Sequence, residues 1–208
     1  MATTQSLPHP FFDQRVGSTA VITNLDGPCV GLSEGLADFI VTVRETTSKS
    51  IVIIVDIFRA STTMVTALGH GARSIIPVST TEEAETLGRT LGCLIAAERN
   101  VQRCPFAQLG NDPAEYTEEL VSGKDIVFTT TNGTRALNIA KEHGVEEILV
   151  GAFINLRSTL HYCHQLGKDI LVLAAGWKGQ MALEDTLYAG ALAALAEGEQ
   201  IGSAADDV

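Results

Sequence analysis

Residues 51–64 place a carboxylate, a guanidinium and three hydroxyls within one short stretch. Asp56 follows the β-branched run Ile51–Val55, Arg59 comes soon after, and Ser61, Thr62 and Thr63 open an apolar-periodic segment (Met64, Val65, Ala67, Leu68) that stops at Gly69 and Gly71. The aliphatic run reads as a strand buried on both faces. The hydroxyls read as a helix start and the glycines as its end. In open α/β sheets, ligands bind outside the carboxyl ends of strands, beside helix N-termini that present free N–H groups and a partial positive charge. A phosphate suits that setting, with Arg59, Ser61 and Thr62 as donors and Asp56 free to hold a cation that the phosphate shares. The same residues also make sense as a plain strand-to-helix turn with an N-cap cluster and a surface ion pair.

Three more stretches carry candidate chemistry. Thr129–Thr134 ends in Thr131, Asn132, Gly133 and Thr134. Asn-Gly favours positive φ, so successive N–H groups can form an anion-binding nest flanked by hydroxyls; the alternative is a turn chosen for backbone shape alone. Ala174–Asp185 opens from a strand into a Gly-rich loop containing Lys178, then a helix start with Glu184 and Asp185 adjacent. Acids there complement the helix dipole. Two adjacent acids heading an apolar helix also suggest pairing or metal binding. Together with Asp56 they could supply oxygen ligands for Mg²⁺, which prefers a few carboxylates with water and phosphate oxygens. Finally, Glu98-Arg99 and the loop Leu109–Pro113, which contains Asn111, offer a bidentate clamp in Arg99. A simple ion pair between Arg99 and Glu98 or a neighbour is the competing reading.

The elements that must position these residues alternate along the chain. Residues 1–18 read as a poorly ordered or loosely docked tail, Thr19–Leu25 as a strand, and a helix capped by Ser33 presents Leu36, Phe39, Ile40 and Val43. Beyond Gly71 the expected strands are Ser74–Val78, Cys93–Ala97, Asp125–Thr129, Glu147–Val150 and Asp169–Ala174. Pro77 suits an edge or strand end. Helices are expected over Glu82–Leu91 (with a capping box of Thr80 and Glu83), near Tyr116–Val121, and over Arg135–His143, Leu156–Gln165 and Met181–Glu197. Short links between alternating strands and helices imply right-handed crossovers and parallel pairing. The fold class is therefore α/β, a three-layer α/β/α arrangement with a largely parallel sheet. A faint echo between Ile54–Leu68 and Ile126–Leu137 leaves room for two similar subdomains. Residues 1–50 read as an N-terminal extension with lead-in elements and residues 51–208 as the α/β domain.

The chain has 208 residues, 45% of them hydrophobic, enough for one sizeable core. A net charge of −11 argues against nucleic acid or an anionic membrane as the main partner. No apolar run reaches the roughly 20 residues of a membrane span, and the start lacks a secretory signal pattern. Four cysteines without a C-x-x-C pair suit a reduced, cytoplasmic setting. The sequence contains no nucleotide P-loop, no G-x-G-x-x-G after a strand, no G-x-S-x-G elbow and no H-E-x-x-H. His161 and His164, one helix face beside Cys163, make a poor zinc site. Asp56-Ile57-Phe58-Arg59 also lacks the second Asp expected in haloacid-dehalogenase-type phosphatases.

Taken together, Val55–Thr63, Glu98-Arg99, Leu109–Pro113, Thr130–Leu137 and Ala175–Asp185 fall in one order that resembles the 2-phosphosulfolactate phosphatase family, over about residues 51–195. That resemblance implies an α/β fold and a Mg²⁺-dependent hydrolase removing phosphate from 2-phospho-3-sulfolactate, a step toward coenzyme M. The chain stops at Val208 where family members run on, so it is expected to be a short or truncated member. In the reaction so implied, Mg²⁺ on Asp56, Glu184 and Asp185 bridges to the phosphate, Arg59, Ser61, Thr62, Thr131 and Thr134 cradle its oxygens, and Arg99 or Lys178 holds the sulfonate. The attacker is water or Asp56 itself. The partner is a small anionic phosphate ester; a homo-oligomer is left open. Two other readings remain: a non-catalytic binder of small phosphorylated or sulfonated acids, and a broad phosphate-monoesterase without preference for sulfonates.

Overall fold

The computed structural model describes residues 20–22, 50–130, 133–142, 144–176 and 182–202. Strand β1 (Ala20–Ile22) lies within the expected Thr19–Leu25 segment, and β2 (Ser50–Val55) leads into helix α1 (Ala60–Gly69). Then come β3 (Ser74–Pro77), α2 (Thr81–Leu91), β4 (Leu94–Arg99) and the two-residue β5 (Gln102–Arg103). A 3₁₀ turn (Pro113–Glu115) and the short α3 (Glu118–Val121) precede β6 (Asp125–Thr129) and α4 (Gly133–Glu142). The chain continues through β7 (Glu147–Gly151), a second 3₁₀ turn (Phe153–Asn155), α5 (Leu156–Leu166), β8 (Asp169–Ala174) and α6 (Leu183–Gly202). The Ser33-capped helix lies outside the described residues.

The strands divide between two four-stranded sheets, in the orders β1-β8-β2-β7 and β3-β6-β4-β5. Among the described strands, every pairing is parallel except the short hairpin of β5 on β4. Among the described residues β3 pairs with β6 alone, so Pro77 sits on an edge strand where its missing N–H removes no ladder bond.

Period-two alternation fills both faces of each sheet. In β2, Val52 and Ile54 pack with Ala136 and Ala140 of α4, while Ile51, Ile53 and Val55 pack with Leu160 of α5 and Tyr188 and Leu192 of α6. In β6, Ile126 and Phe128 join Ala60, Met64 and Ala67 of α1, whereas Val127 joins Ala84 near the start of α2. Val150 of β7 also packs into the α1 cluster, so α1 bridges the two sheets. Strands buried on both faces explain the continuous aliphatic runs, and helices on both sides give the α/β/α layering. Among the described residues, no helix is long and apolar enough to cross a membrane.

Local details follow the side-chain chemistry. Thr80 caps α2 by accepting from the N–H of Glu83 at 3.1 Å, and Glu83 reaches back to the N–H of Ser79 at 3.0 Å instead of Thr80. Gly88 faces Ile95 so closely that an added Cβ would lie 2.3 Å from Ile95 Cγ1, which is how α2 seats against β4. Cys93, expected inside a strand, precedes β4.

Candidate active site

The turn between β2 and α1 is closed by its own polar groups. Asp56 Oδ1 accepts from the N–H of Ala60 at 3.3 Å, and the Asp56 carbonyl accepts from Ser61 N–H at 2.9 Å. Ser61, only 2% exposed, accepts from Asp56 N–H at 3.1 Å, and Thr62 donates to the Ile57 carbonyl at 2.8 Å. The N–H of Thr63 goes to the Arg59 carbonyl at 2.9 Å. The Asp56 carboxylate therefore satisfies the first N–H of α1, and the hydroxyls expected to cradle a phosphate also brace the turn. α1 thus starts as a braced corner.

Arg59 stands at the N-cap position, part-exposed, with its guanidinium 3.9 Å from Asp112. Asp112 also accepts from Ala114 N–H at 3.0 Å, capping the 3₁₀ turn. The loop that contains Asn111 is thus attached to the β2–α1 corner through Arg59. Asn111 is 7% exposed, and its Oδ1 has no hydrogen-bond partner among the described residues. A buried orphan acceptor of this sort is the kind of group a donor-bearing ligand would complete.

Arg99 is fixed at the carboxyl ends of three strands. It donates to the Glu98 carbonyl at 2.7 Å, the Ser79 carbonyl at 3.2 Å and Thr129 Oγ1 at 3.0 Å. Its partners are neutral oxygens, so its charge is not matched by the Glu98 carboxylate, which instead accepts from Val101 N–H. Among the described residues, three of its five guanidinium N–H donors are used.

Asp185, 2% exposed, accepts from Ile57 N–H at 2.9 Å through Oδ1 and from Gly176 N–H at 3.1 Å through Oδ2. It thereby ties the loop after β2 to the loop after β8, strands that lie side by side with Val55 opposite Ala174. Asp56, Asp185, Glu184 and Glu98 share one electrostatic neighbourhood. Burial first, and the Asp185 carboxylate second, push the Asp56 carboxyl up to about 7; the Ala60 N–H opposes this and Glu98 and Glu184 add to it. Burial and Glu184 also raise Asp185, against the two backbone N–H groups that stabilise its ionised form. Glu98, 8% exposed on the second sheet, is a member that sequence reasoning did not place beside Asp56. Its only sequence signal is an acid directly after the buried β4 residues.

Among the described residues, no group of three His, Cys, Asp or Glu side chains is arranged to hold a metal ion. Of the expected ligands, Asp185 has a backbone N–H on each oxygen, whereas Asp56 has one N–H on a single oxygen. A carboxylate donor set suits Mg²⁺, which is commonly bound through one or two carboxylates with substrate phosphate and water completing its shell. Gly133 and Thr134 form the first residues of α4. Thr131, Asn132 and Lys178 lie outside the described residues.

The sequence model of the 2-phosphosulpholactate phosphatase family matches residues 40–208. A protein of Thermotoga petrophila named probable 2-phosphosulfolactate phosphatase is 42% identical over 153 residues, 74% of this chain and 65% of that protein. One of Caldanaerobacter subterraneus subsp. tengcongensis bearing the same name is 41% identical over 152 residues, 72% of this chain and 62% of that protein. A Symbiobacterium thermophilum protein of that name is 36% identical over 145 residues, 68% of this chain and 61% of that protein. The matched region thus spans less than two thirds of these relatives. On the family match, the chain belongs to the 2-phosphosulpholactate phosphatase family.

Proposed function

We propose that this chain is a phosphoric monoester hydrolase that converts 2-phospho-3-sulfolactate to sulfolactate and inorganic phosphate, with Mg²⁺ as cofactor, on a cytoplasmic route toward coenzyme M. The observation that carries the reading is the Asp56 corner, a carboxyl pushed up to about 7 by burial and by three surrounding acids, with Arg59 at the N-cap of the helix that follows. Such an accumulation of negative charge is stabilised by a divalent cation and by anion-binding arginines around it. The names of the relatives supply the substrate.

Asp56 and Glu184 would hold the ion. Bound there, Mg²⁺ would neutralise charge on the phosphoryl oxygens. Arg59 binds the phosphate from the α1 corner. Arg99, held rigid by Ser79 and Thr129, orients the second anionic group, either the carboxylate or the sulfonate. Hydrolysis forms one P–O bond from the attacking oxygen and breaks the ester P–O bond, and the sulfolactate hydroxyl leaves with a proton.

Phosphate release from racemic 2-phospho-3-sulfolactate and from phospholactate, with Mg²⁺ and with EDTA, tests the reading. Mg²⁺-dependent release favouring the sulfonate is the expected result. Similar rates on both substrates would retain the phosphatase and remove the substrate assignment. No release from either by folded protein would overturn the reading in favour of a binding module.

A further inference from the structure

Strands β2 and β8 lie side by side, and the sheet ladder between them ends where Ala175 N–H reaches the Val55 carbonyl at 2.8 Å. Beyond that point the backbone N–H groups of Ile57 and Gly176 need other acceptors, because buried amides are paired almost without exception. Both find the same carboxylate, one on each oxygen of Asp185, across 128 residues of sequence in one case and nine in the other. Asp185 comes from the first turn of α6, whose Tyr188, Ala189 and Leu192 are locked in the core against β2 and β8. Gly176 has a left-handed φ of 66°, which turns its N–H toward that carboxylate.

We propose that Asp185 is a positioning residue that fixes the carboxyl ends of β2 and β8 relative to α6, and that it does not ligate the metal. With 2% of the residue exposed and a backbone N–H on each oxygen, its carboxylate has its charge-assisted partners already and offers little open approach. Asp56 differs: its oxygen carries one long bond of 3.3 Å from Ala60. Ile57 adjoins Asp56, so the Asp185 tether sets where the Asp56 carboxylate sits. The assignment rests on the metal reading above, since it divides two roles that would otherwise both be ligation.

The test is Mn²⁺ titration of the full chain, as wild type, Asp185→Asn and Asp56→Asn, with backbone amide spectra of each. Asp185→Asn is expected to cost Mn²⁺ affinity no more than about 10–100-fold, the range of an outer-shell change, while Asp56→Asn loses more than that. In Asp185→Asn the Ile57 and Gly176 amide protons should shift upfield and exchange faster. Equal loss of Mn²⁺ binding in both variants, or unmoved Ile57 and Gly176 amides, would overturn the proposal. If Asp185→Asn fails to fold, wild type alone decides: during Mg²⁺ titration the Asp56 carboxyl ¹³C resonance should move and that of Asp185 stay, and the reverse order refutes the tether. Absence of Mn²⁺ binding by wild type would strike the metal reading, while the two amides would still decide the tether.

Discussion

Replacing Asp56 by Asn should stabilise the metal-free protein while abolishing turnover. In the folded chain the Asp56 carboxyl stands at about 7, against an ordinary value of 3.8, chiefly from burial and the Asp185 carboxylate. A carboxyl raised on folding opposes folding once it ionises. The penalty is absent below about pH 4, grows between about 4 and 7, and is complete above that. Three units at about 1.4 kcal/mol each would give about 4 kcal/mol as an upper bound. Residual solvent access to the carboxylate reduces this to about 2 kcal/mol. Asn retains an oxygen for the Ala60 N–H, so the cap survives. In EDTA near pH 8, Asp56→Asn should therefore unfold about 4–8 °C higher than wild type, given about 2–4 °C per kcal/mol for a domain of this size. Near pH 5.5 the gap should narrow. Urea midpoints followed by circular dichroism at both pH values measure it. Adding Mg²⁺ should close the gap at pH 8 by stabilising wild type alone. A variant no more stable than wild type at pH 8, or a difference independent of pH, would refute the account of Asp56 as a charge in need of a counter-ion.

Three further outcomes follow from the geometry. Gly151→Ala places a methyl group 2.5 Å from Tyr188 Oη and 2.6 Å from Ile53 Cγ2, so it should cost about 1–3 kcal/mol by overpacking, readable as a lower urea midpoint at unchanged slope. Asp125, held at about 2 by hydrogen bonds from Arg73 and Ser74, contributes stability above about pH 4 that is lost as the pH falls toward 2; Asp125→Asn should flatten that part of the acid unfolding curve. Arg99→Lys keeps the charge but cannot reach the Ser79 carbonyl and Thr129 Oγ1 together from one planar group, so kcat/KM for phosphosulfolactate should fall at least about tenfold with little change in melting temperature.

Most of the strands and helices, and the Asp56 corner itself, were legible because they depend on neighbours in sequence. A β-branched run, an acid, an arginine and a hydroxyl-rich helix start specify a strand-to-helix turn through local backbone preference. The same locality makes Asp56 and Arg59 visible as a pair. Ser61 and Thr62 have the composition of an anion cradle, and their side chains also bond Asp56 N–H and the Ile57 carbonyl, five residues away in each case.

Two features belong to tertiary structure alone. Alternation along a buried strand is the same whether eight strands form one sheet or two, and only non-local pairing divides them into β1-β8-β2-β7 and β3-β6-β4-β5. The acid neighbourhood is equally non-local. Glu98 from one sheet and Asp185 from a helix 128 residues beyond Ile57 converge on the Asp56 corner because chain crossovers bring strand ends together there. Sequence determined which residues could carry charge and how each local turn is built. The fold decided which charges face each other, because desolvation and Coulomb energy depend on distance in space, and distance along the chain fixes neither.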